Sequence, residues 1–471
     1  MDCLKEKNKK HARRFGMSKK RMVGLALGTV GLMGFVYSYV QAGSLTVSSP
    51  YKVAKELVDV AAVNATGVVN ATHTYTPSQI PLGSLTGPTI AVSVDNGKIY
   101  VGSQGVAICD SSNNTIGVYQ AGNGTNQLVF SNATATVSNG ANYWIGNSTC
   151  NGTANLTFEI PKGASSVALT IKTGVGATQT VLDTAQATII SVVPQFSASV
   201  GSKLSNQIDY AYDFKKFYGN TTSDNGTIEL VSASLNLPVQ NNATSNATTF
   251  SVTLKPTDMA GIANATINNS TATTPTPCNN GADRIICNAT YDITGFVNKN
   301  ATFTITVNVT GTDVLSERSF TVDAFLDFAA SNVVDKTLLT NADFGAWTYK
   351  GTTIYVPIIG VNPATGRETY IKLQSKDTSP YANKVKAIIL ASDGSLVTAD
   401  LGQITPGQPF TIKGSDLAAK VQAAGKTVGD SFAAVLVVTT DEANLFGYAN
   451  IIDPSGAKRV PLKVSNGKIV E

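Results

Sequence analysis

Seventeen asparagines between Asn64 and Thr310 carry a threonine two residues downstream, and no other asparagine in the chain does. They are Asn64, Asn70, Asn113, Asn123, Asn132, Asn147, Asn151, Asn155, Asn220, Asn225, Asn242, Asn246, Asn264, Asn269, Asn288, Asn300 and Asn308, with a single Asn-x-Ser at Asn268. Asn-x-Thr is the acceptor pattern for an N-linked glycan, a bulky group that forces its site to the surface of an exported protein. The stretch holds 29 Asn and 38 Thr in 247 residues, so random placement gives about 4.5 such triplets and chance does not account for them. Turn-to-strand junctions offer a blander account, because Asn favours turns and Thr favours strands. That account yields Asn-x-Val and Asn-x-Ile as readily, and leaves the bias for Thr unexplained.

Other residue types point to reactions that their context then weakens. Ser49-Pro50-Tyr51-Lys52, Lys172-Thr173-Gly174 and Ser223-Asp224-Asn225 fit the three short motifs of serine acyl-enzymes of the β-lactamase kind. Their order along the chain is wrong for that family, and Asn225 begins a sequon. Gly425-Lys426-Thr427 ends like a phosphate loop, but Lys420 stands where the first glycine is required, so a helix C-cap is the expected role. A Ser-His-Asp triad would rest on His73 alone, which reads instead as a solvated strand or loop residue. Asp209 and Asp213 flank Tyr210 and Tyr212, and two carboxylates across a sugar-sized gap are enough for glycoside hydrolysis. A strand pairing aromatic and acidic faces is the plainer reading of the same residues. Asp110 with Asn113, or Asp224, could hold a structural calcium, although no EF-hand pattern is present. No catalytic residue, cofactor or metal site is therefore expected.

Cysteine chemistry is more definite. Cys109, Cys150, Cys278 and Cys287 form an even set, which in an oxidising compartment implies two disulfides. Of three connectivities, Cys109–Cys150 with Cys278–Cys287 keeps each bridge inside one apparent domain, and the second closes a short loop from Asn279 to Ile286. Zinc is disfavoured, because no pair has Cys-x-x-Cys spacing.

The segments that carry these residues begin with a leader. Basic residues from Lys5 to Arg21 precede an apolar run from Met22 to Val40, and Val40-Gln41-Ala42 ends it with small residues, so residues 1–42 read as a signal peptide cut between Ala42 and Gly43. An uncleaved anchor is the alternative, since nineteen apolar residues just span a bilayer. The leader holds nine Lys or Arg against two Asp or Glu, so the +4 of the whole chain becomes −3 in the remainder. That balance removes the case for nucleic acid as a partner, and no membrane contact is expected once the leader is gone.

After the leader, residues 43–63 suggest a strand, Gly43 to Val47, and one short capped helix that begins at Ser48-Ser49-Pro50. From there the apolar period is two, at Leu156, Phe158 and Ile160, at Phe250, Val252 and Leu254, and at Phe303, Ile305, Val307 and Val309. Such strands between Gly, Asn and Ser turns predict an all-β chain of tandem antiparallel β-sandwich domains with one or two short helices. The expected domains are sequon-rich sandwiches at 64–194 and 195–330, the second with a long loop at 256–282, and a sequon-free C-terminal sandwich at 340–471. The segment from Gly447 through Asp453-Pro454-Ser455-Gly456 to Leu462 resembles the closing module of large exported proteins of some thermophilic bacteria, which themselves resemble surface-layer or fibre subunits. The abundant sequons and low charge are similar to archaeal surface-layer and filament glycoproteins. That resemblance implies a secreted structural glycoprotein at the cell surface, self-assembling into a layer or filament, with cell wall or glycan as a further candidate partner. A monomeric adhesin or carbohydrate-binding protein, or a carboxylate-dependent extracellular hydrolase, are the rival readings.

Overall fold

The computed structural model describes residues 43–68, 73–176, 180–239, 247–270, 274–292, 300–328, 333–378, 382–440, 442–460, 462–464 and 469–470. Strands dominate, arranged around three hydrophobic cores in chain order. The first core lies within a ten-stranded sheet running from Ser44–Thr46 at one edge to Tyr51–Ala54 at the other, with a smaller sheet of Val63–Thr66, Leu156–Ile160 and Lys98–Val101 beside it. Alternation makes this core: Leu169 and Ile171 share one face of Ser166–Val175 and pack with Ile90, Val92, Phe130 and Phe158.

The second core is a sandwich of a five-stranded and a six-stranded sheet. Ala301–Val309 alternates strictly, burying Phe303, Ile305 and Val307. Phe303 stacks on Phe250 of the facing sheet with ring centroids 4.0 Å apart. Trp347 sits edge-on between Phe217 and Phe320 at 4.7 and 4.8 Å, and its indole N–H donates to Asp224 at 2.8 Å. Lys336–Tyr349 pairs with Arg318–Phe328, so this strand belongs to the middle sandwich, although part of it lies beyond residue 340.

In the third unit Thr352–Asn362 serves two sheets. Thr352 through Gly360 pairs with Ser431–Val438, with a register shift between Val356 and Ile359, and its last two residues pair with Arg367–Ser375. The helix Gly414–Ala423 covers one end of this core with Leu417 and Val421.

Two local expectations fail. The capped helix at Ser48 is instead a strand, Tyr51–Ala54, followed by one turn, Lys55–Val58. Parallel pairing with Ile190 to Val193 claims the backbone that a first helical turn would have used. The supposed long loop at 256–282 contains the strand Ile262–Asn269, where Ala265 and Ile267 point inward; Asn264, Thr266 and Asn268 take the opposite parity and disguise the period. The strand expected from Gly43 to Val47 is present as Ser44–Thr46, paired with Thr74–Thr76 of its own chain and with Leu45 buried.

Candidate modification and assembly surfaces

Side chains decide which sequons can be acceptors. Asn64, Asn113, Asn123, Asn151, Asn155, Asn220, Asn225, Asn264, Asn288 and Asn300 are exposed, and Asn132, Asn147 and Asn308 are half-buried. Asn70, Asn242 and Asn246 lie outside the described residues. Asn269 differs from all of these: only 7% exposed, it shares the inward parity of Ala265 and Ile267, and its amide nitrogen points at the Thr290 carbonyl 3.5 Å away. A glycan there would have to occupy the core, so Asn269 is removed from the acceptor set.

Position within elements also bears on the turn-to-strand account. Asn64, Asn225, Asn264, Asn288 and Asn308 lie inside strands. On the outer face of the five-stranded sheet Asn308 stands opposite Ser223 on one side and Asn264 on the other, and its amide donates to the Asn264 side-chain oxygen at 2.7 Å. A preference of Asn for turns does not put it there.

Both disulfides lie close to sequons. Cys109 and Cys150 are joined and fully buried, with Trp144 packed against them. The bridge anchors a turn in which Asn147 and Asn151 are hydrogen-bonded to each other and Thr149 donates to both. Cys278 is joined to Cys287, tying the edge of the six-stranded sheet to Ile285–Asp292, the strand that carries Asn288.

The groups that suggested catalysis are dispersed. Thr173 is buried in the first core, where its hydroxyl meets that of Tyr75 at 2.8 Å, whereas Ser223 lies on the outer face of the middle sandwich. Gly425 follows the last turn of the C-terminal helix with φ +72°, and Lys426 pairs with Asp393. His73 is buried at 5% exposure, not the solvated residue expected from the sequence, and burial pushes its pKa below the ordinary value. It packs with Leu45, Tyr75, Tyr143 and Trp144 around a small gap.

Asp209 and Asp213 bracket a single 3-10 turn, Tyr210–Tyr212, rather than a strand. The Asp209 carboxylate accepts from the Ala211 N–H at 3.0 Å, capping that turn. Asp110 accepts from Ser112 and Asn114; burial opposes them, yet these donors hold its carboxyl below the usual range. The oxygens of Asp224 are filled by Ser205, Asn206, Asn225 and Trp347. Among the described residues no group of three or more His, Cys, Asp or Glu is placed to hold a metal, and no helix is long and apolar enough to cross a membrane.

What the turn at Tyr210 does is join the middle and C-terminal units. The Tyr210 hydroxyl donates to Asp400 at 2.9 Å; burial, then this bond, raises its pKa far above the ordinary tyrosine value. Lys386, 6% exposed, comes from the C-terminal unit to meet Asp213 and the Tyr210 carbonyl, with its ammonium 4.4 Å from the Tyr210 ring centroid. Glu317 of the middle unit accepts from Thr353 and Tyr355 in return. Beside this contact is a polar cleft of about 640 Å³, lined in part by Asp209, Lys350, Asp377 and Lys384. Asp377 accepts from the Thr440 hydroxyl at 2.7 Å, so its carboxylate, like that of Asp209, holds local structure.

Glu317, Lys386 and Asp400 match no motif, and Tyr210 and Asp213 drew notice only as candidates for glycoside chemistry. The available signal was Lys386 and Ile388 at one parity and Val385, Ala387 and Ile389 at the other, a strand apolar on both faces and so covered on both.

Next to the junction the C-terminal sheet exposes an apolar strip. Tyr355, Ile358, Leu390 and Leu396 are each more than a third exposed, and an apolar groove of about 350 Å³ runs among Tyr355, Pro357, Ile388, Leu390, Leu396 and Val435. Ile388 and Val437 of the same face are buried with the middle core, so the strip continues an existing contact.

Comparison with known proteins identifies one family, described as S-layer protein Slr4, which matches residues 43–459. No curated protein matches the chain. Among solved structures, the C-terminal domain of the Streptococcus agalactiae AgI/II polypeptide BspA is 10% identical, with 65% of this chain and 99% of that one covered and a TM-score of 0.21. The full-length major pilin SpaD of Corynebacterium diphtheriae is also 10% identical, covering 80% and 84% at a TM-score of 0.21. CfaE, the adhesive subunit of the CFA/I fimbria of enterotoxigenic Escherichia coli, is 7% identical, covering 65% and 93% at 0.23. No residue correspondence follows from scores this low.

Proposed function

The chain belongs to the S-layer protein Slr4 family, and on that premise we propose that exported copies of it assemble into an array whose contacts are made by the C-terminal unit. It is an extracellular structural protein of the cell surface. In this reading the leader is removed before Gly43, and the chain folds as three units divided near residue 194 and near residue 350. The first two units carry glycans on their exposed sequon asparagines. The third is bare so that it can touch a neighbour, and the protein works by packing rather than by catalysis.

The observation that carries the reading is a segregation of surfaces. Every exposed sequon lies before residue 310, whereas the strip of Tyr355, Ile358, Leu390 and Leu396 lies wholly in the sequon-free unit. Exposed apolar patches on extracellular proteins mark contact sites. Charge supports a copy of this chain as the occupant. Residues 195–349 carry thirteen Asp or Glu against eight Lys or Arg, and residues 350–471 carry ten against thirteen, so a C-terminal unit is complementary to a neighbour's middle unit.

The test is the full chain from Gly43 with Leu390→Lys and Leu396→Lys together, followed by negative-stain images and sizing. The unsubstituted chain is expected to form ordered arrays and the variant to stay dispersed. A strictly monomeric unsubstituted chain at high concentration would end this reading and favour the monomeric adhesin. An intact native mass equal to the bare polypeptide would end the glycan claim alone.

A further inference from the structure

Asp183 is a carboxylate in the wrong place for an ordinary strand residue. It is 2% exposed and shares the inward face of Thr180–Val193 with Ala185. Its partners are neutral: Oδ2 accepts the Tyr75 hydroxyl at 2.6 Å, and Oδ1 accepts the N–H groups of Ser78 and Gln79 at 3.3 and 3.1 Å. Residues 43–194 hold five lysines and no arginine. Of these, Lys55 pairs with Asp59 and Lys98 with Glu159, and no lysine or arginine among the described residues is paired with Asp183. A buried carboxylate without a cation is costly.

Gly43 lies directly against it. A Cβ added at Gly43 would stand 2.3 Å from Asp183 Oδ2 and 3.2 Å from the Tyr75 ring. Space alone therefore requires glycine at this position. With N–Cα of ~1.46 Å and near-tetrahedral angles, the Gly43 nitrogen is within about 5 Å of that oxygen. In the precursor this nitrogen is a peptide amide. After cleavage before Gly43 it is an ammonium, free to turn about the Cα–C bond into the space where no side chain fits. The family match also starts at Gly43.

We propose that the new N-terminal ammonium of Gly43 forms a buried ion pair with Asp183, so that removal of the leader locks Ser44–Thr46 into the first sheet. The proposal rests on the cleavage position given above. The unprocessed chain lacks the cation, holds this strand weakly, and completes its first unit only after export. The same pairing keeps the strand in its own sheet instead of lending it to a neighbour.

The test compares the full chain beginning at Gly43 with the same chain carrying two extra N-terminal residues, each with and without Asp183→Asn. The chain from Gly43 is expected to show the higher urea midpoint and at least tenfold slower amide exchange in Ser44–Thr46, with both advantages lost in Asp183→Asn. Equal behaviour of the two N-termini with Asp183 present overturns the proposal, as does an advantage that survives Asp183→Asn. If Asp183→Asn does not fold, labelling of the Gly43 amine by an acylating reagent at neutral pH decides. Labelling at least tenfold slower in the folded than in the urea-unfolded chain supports the pair, and equal rates refute it. N-terminal sequencing of the native protein tests the cleavage position separately, since the ion pair is measured on a chain made to start at Gly43.

Discussion

Replacing Lys386 by Met probes the junction between the sequon-free unit and the sequon-bearing part of the molecule. The substitution keeps the aliphatic stem that packs over Tyr210 and Phe214 and removes only the ammonium. Lost are a charge-assisted hydrogen bond to Asp213, a bond to the Tyr210 carbonyl, and a cation over the Tyr210 ring. Hydrogen bonds involving a charged group contribute about 1.5–3 kcal/mol. The low end applies here, because the Asp213 side chain is 60% exposed and regains water when its partner leaves. The cation over the ring adds roughly 0.5–1 kcal/mol, and release of a buried ammonium from its desolvation offsets part of the total. The net expected loss is about 2 kcal/mol. At about 2.1 cal/mol/K per residue, a unit of roughly 110 residues would melt about 9 °C lower. Differential scanning calorimetry of the chain from Gly43 reads that transition, and Asp213→Asn completes a double-mutant cycle. A coupling of about 1 kcal/mol is expected; effects that add to within about 0.5 kcal/mol would show that the two residues do not act together. An unchanged melting temperature in Lys386→Met would refute the reasoning outright.

The disulfides should differ in worth, because the 41-residue separation of Cys109 and Cys150 restrains the unfolded chain more than the 9-residue separation of Cys278 and Cys287. Paired Cys→Ser substitutions are expected to cost about 4 and about 2.5 kcal/mol in urea titrations, and the reverse order would contradict the entropic argument. Glycopeptide mapping of the native protein should find Asn225, Asn264 and Asn288 modified and Asn269 bare; a glycan on Asn269 would mean that Ile262–Asn269 is not a strand in the mature protein. His73 has a pKa below its unfolded value of about 6.5, so below that pH the unfolded chain takes up a proton that the folded chain refuses. Stability should therefore fall as pH drops through about 6.5 toward the folded pKa, and His73→Gln should flatten that slope between pH 7.5 and 5.5 while leaving the steeper loss at carboxylate pH in place.

Much of the fold was legible because strand alternation is a local signal. Phe303, Ile305 and Val307 announce their own face, and Leu169 with Ile171 does the same. What failed to show were segments whose structure is set by a distant partner. Tyr51–Ala54 carries the pattern of a helix start and becomes a strand only because Ile190 to Val193 lies beside it. Ile262–Asn269 hides its alternation behind Asn and Thr, yet its parity, carried through Ala265 and Ile267, also reveals that Asn269 faces the core. His73 and Asp183 look like surface residues in sequence, since nothing local reports that two strands far along the chain close over them. The junction was hidden for the same reason: Tyr210, Glu317, Lys386 and Asp400 are separated by long stretches of chain and meet only in the folded molecule.

Only Lys350 and Gly351 separate the last strand of the middle sandwich from Thr352–Asn362. A flexible tether lets its ends wander by about 5–6 Å times the square root of its length, and a periodic array repeats that uncertainty at every subunit. Here the tether is two residues long and is bridged by Lys386, Tyr210 with Asp400, and Glu317. The distance from the sequon-bearing face to the bare apolar strip is thus a fixed dimension of each copy. Spacing across the array would be gauged by the protein's own interior rather than by the glycans or by whatever lies beneath.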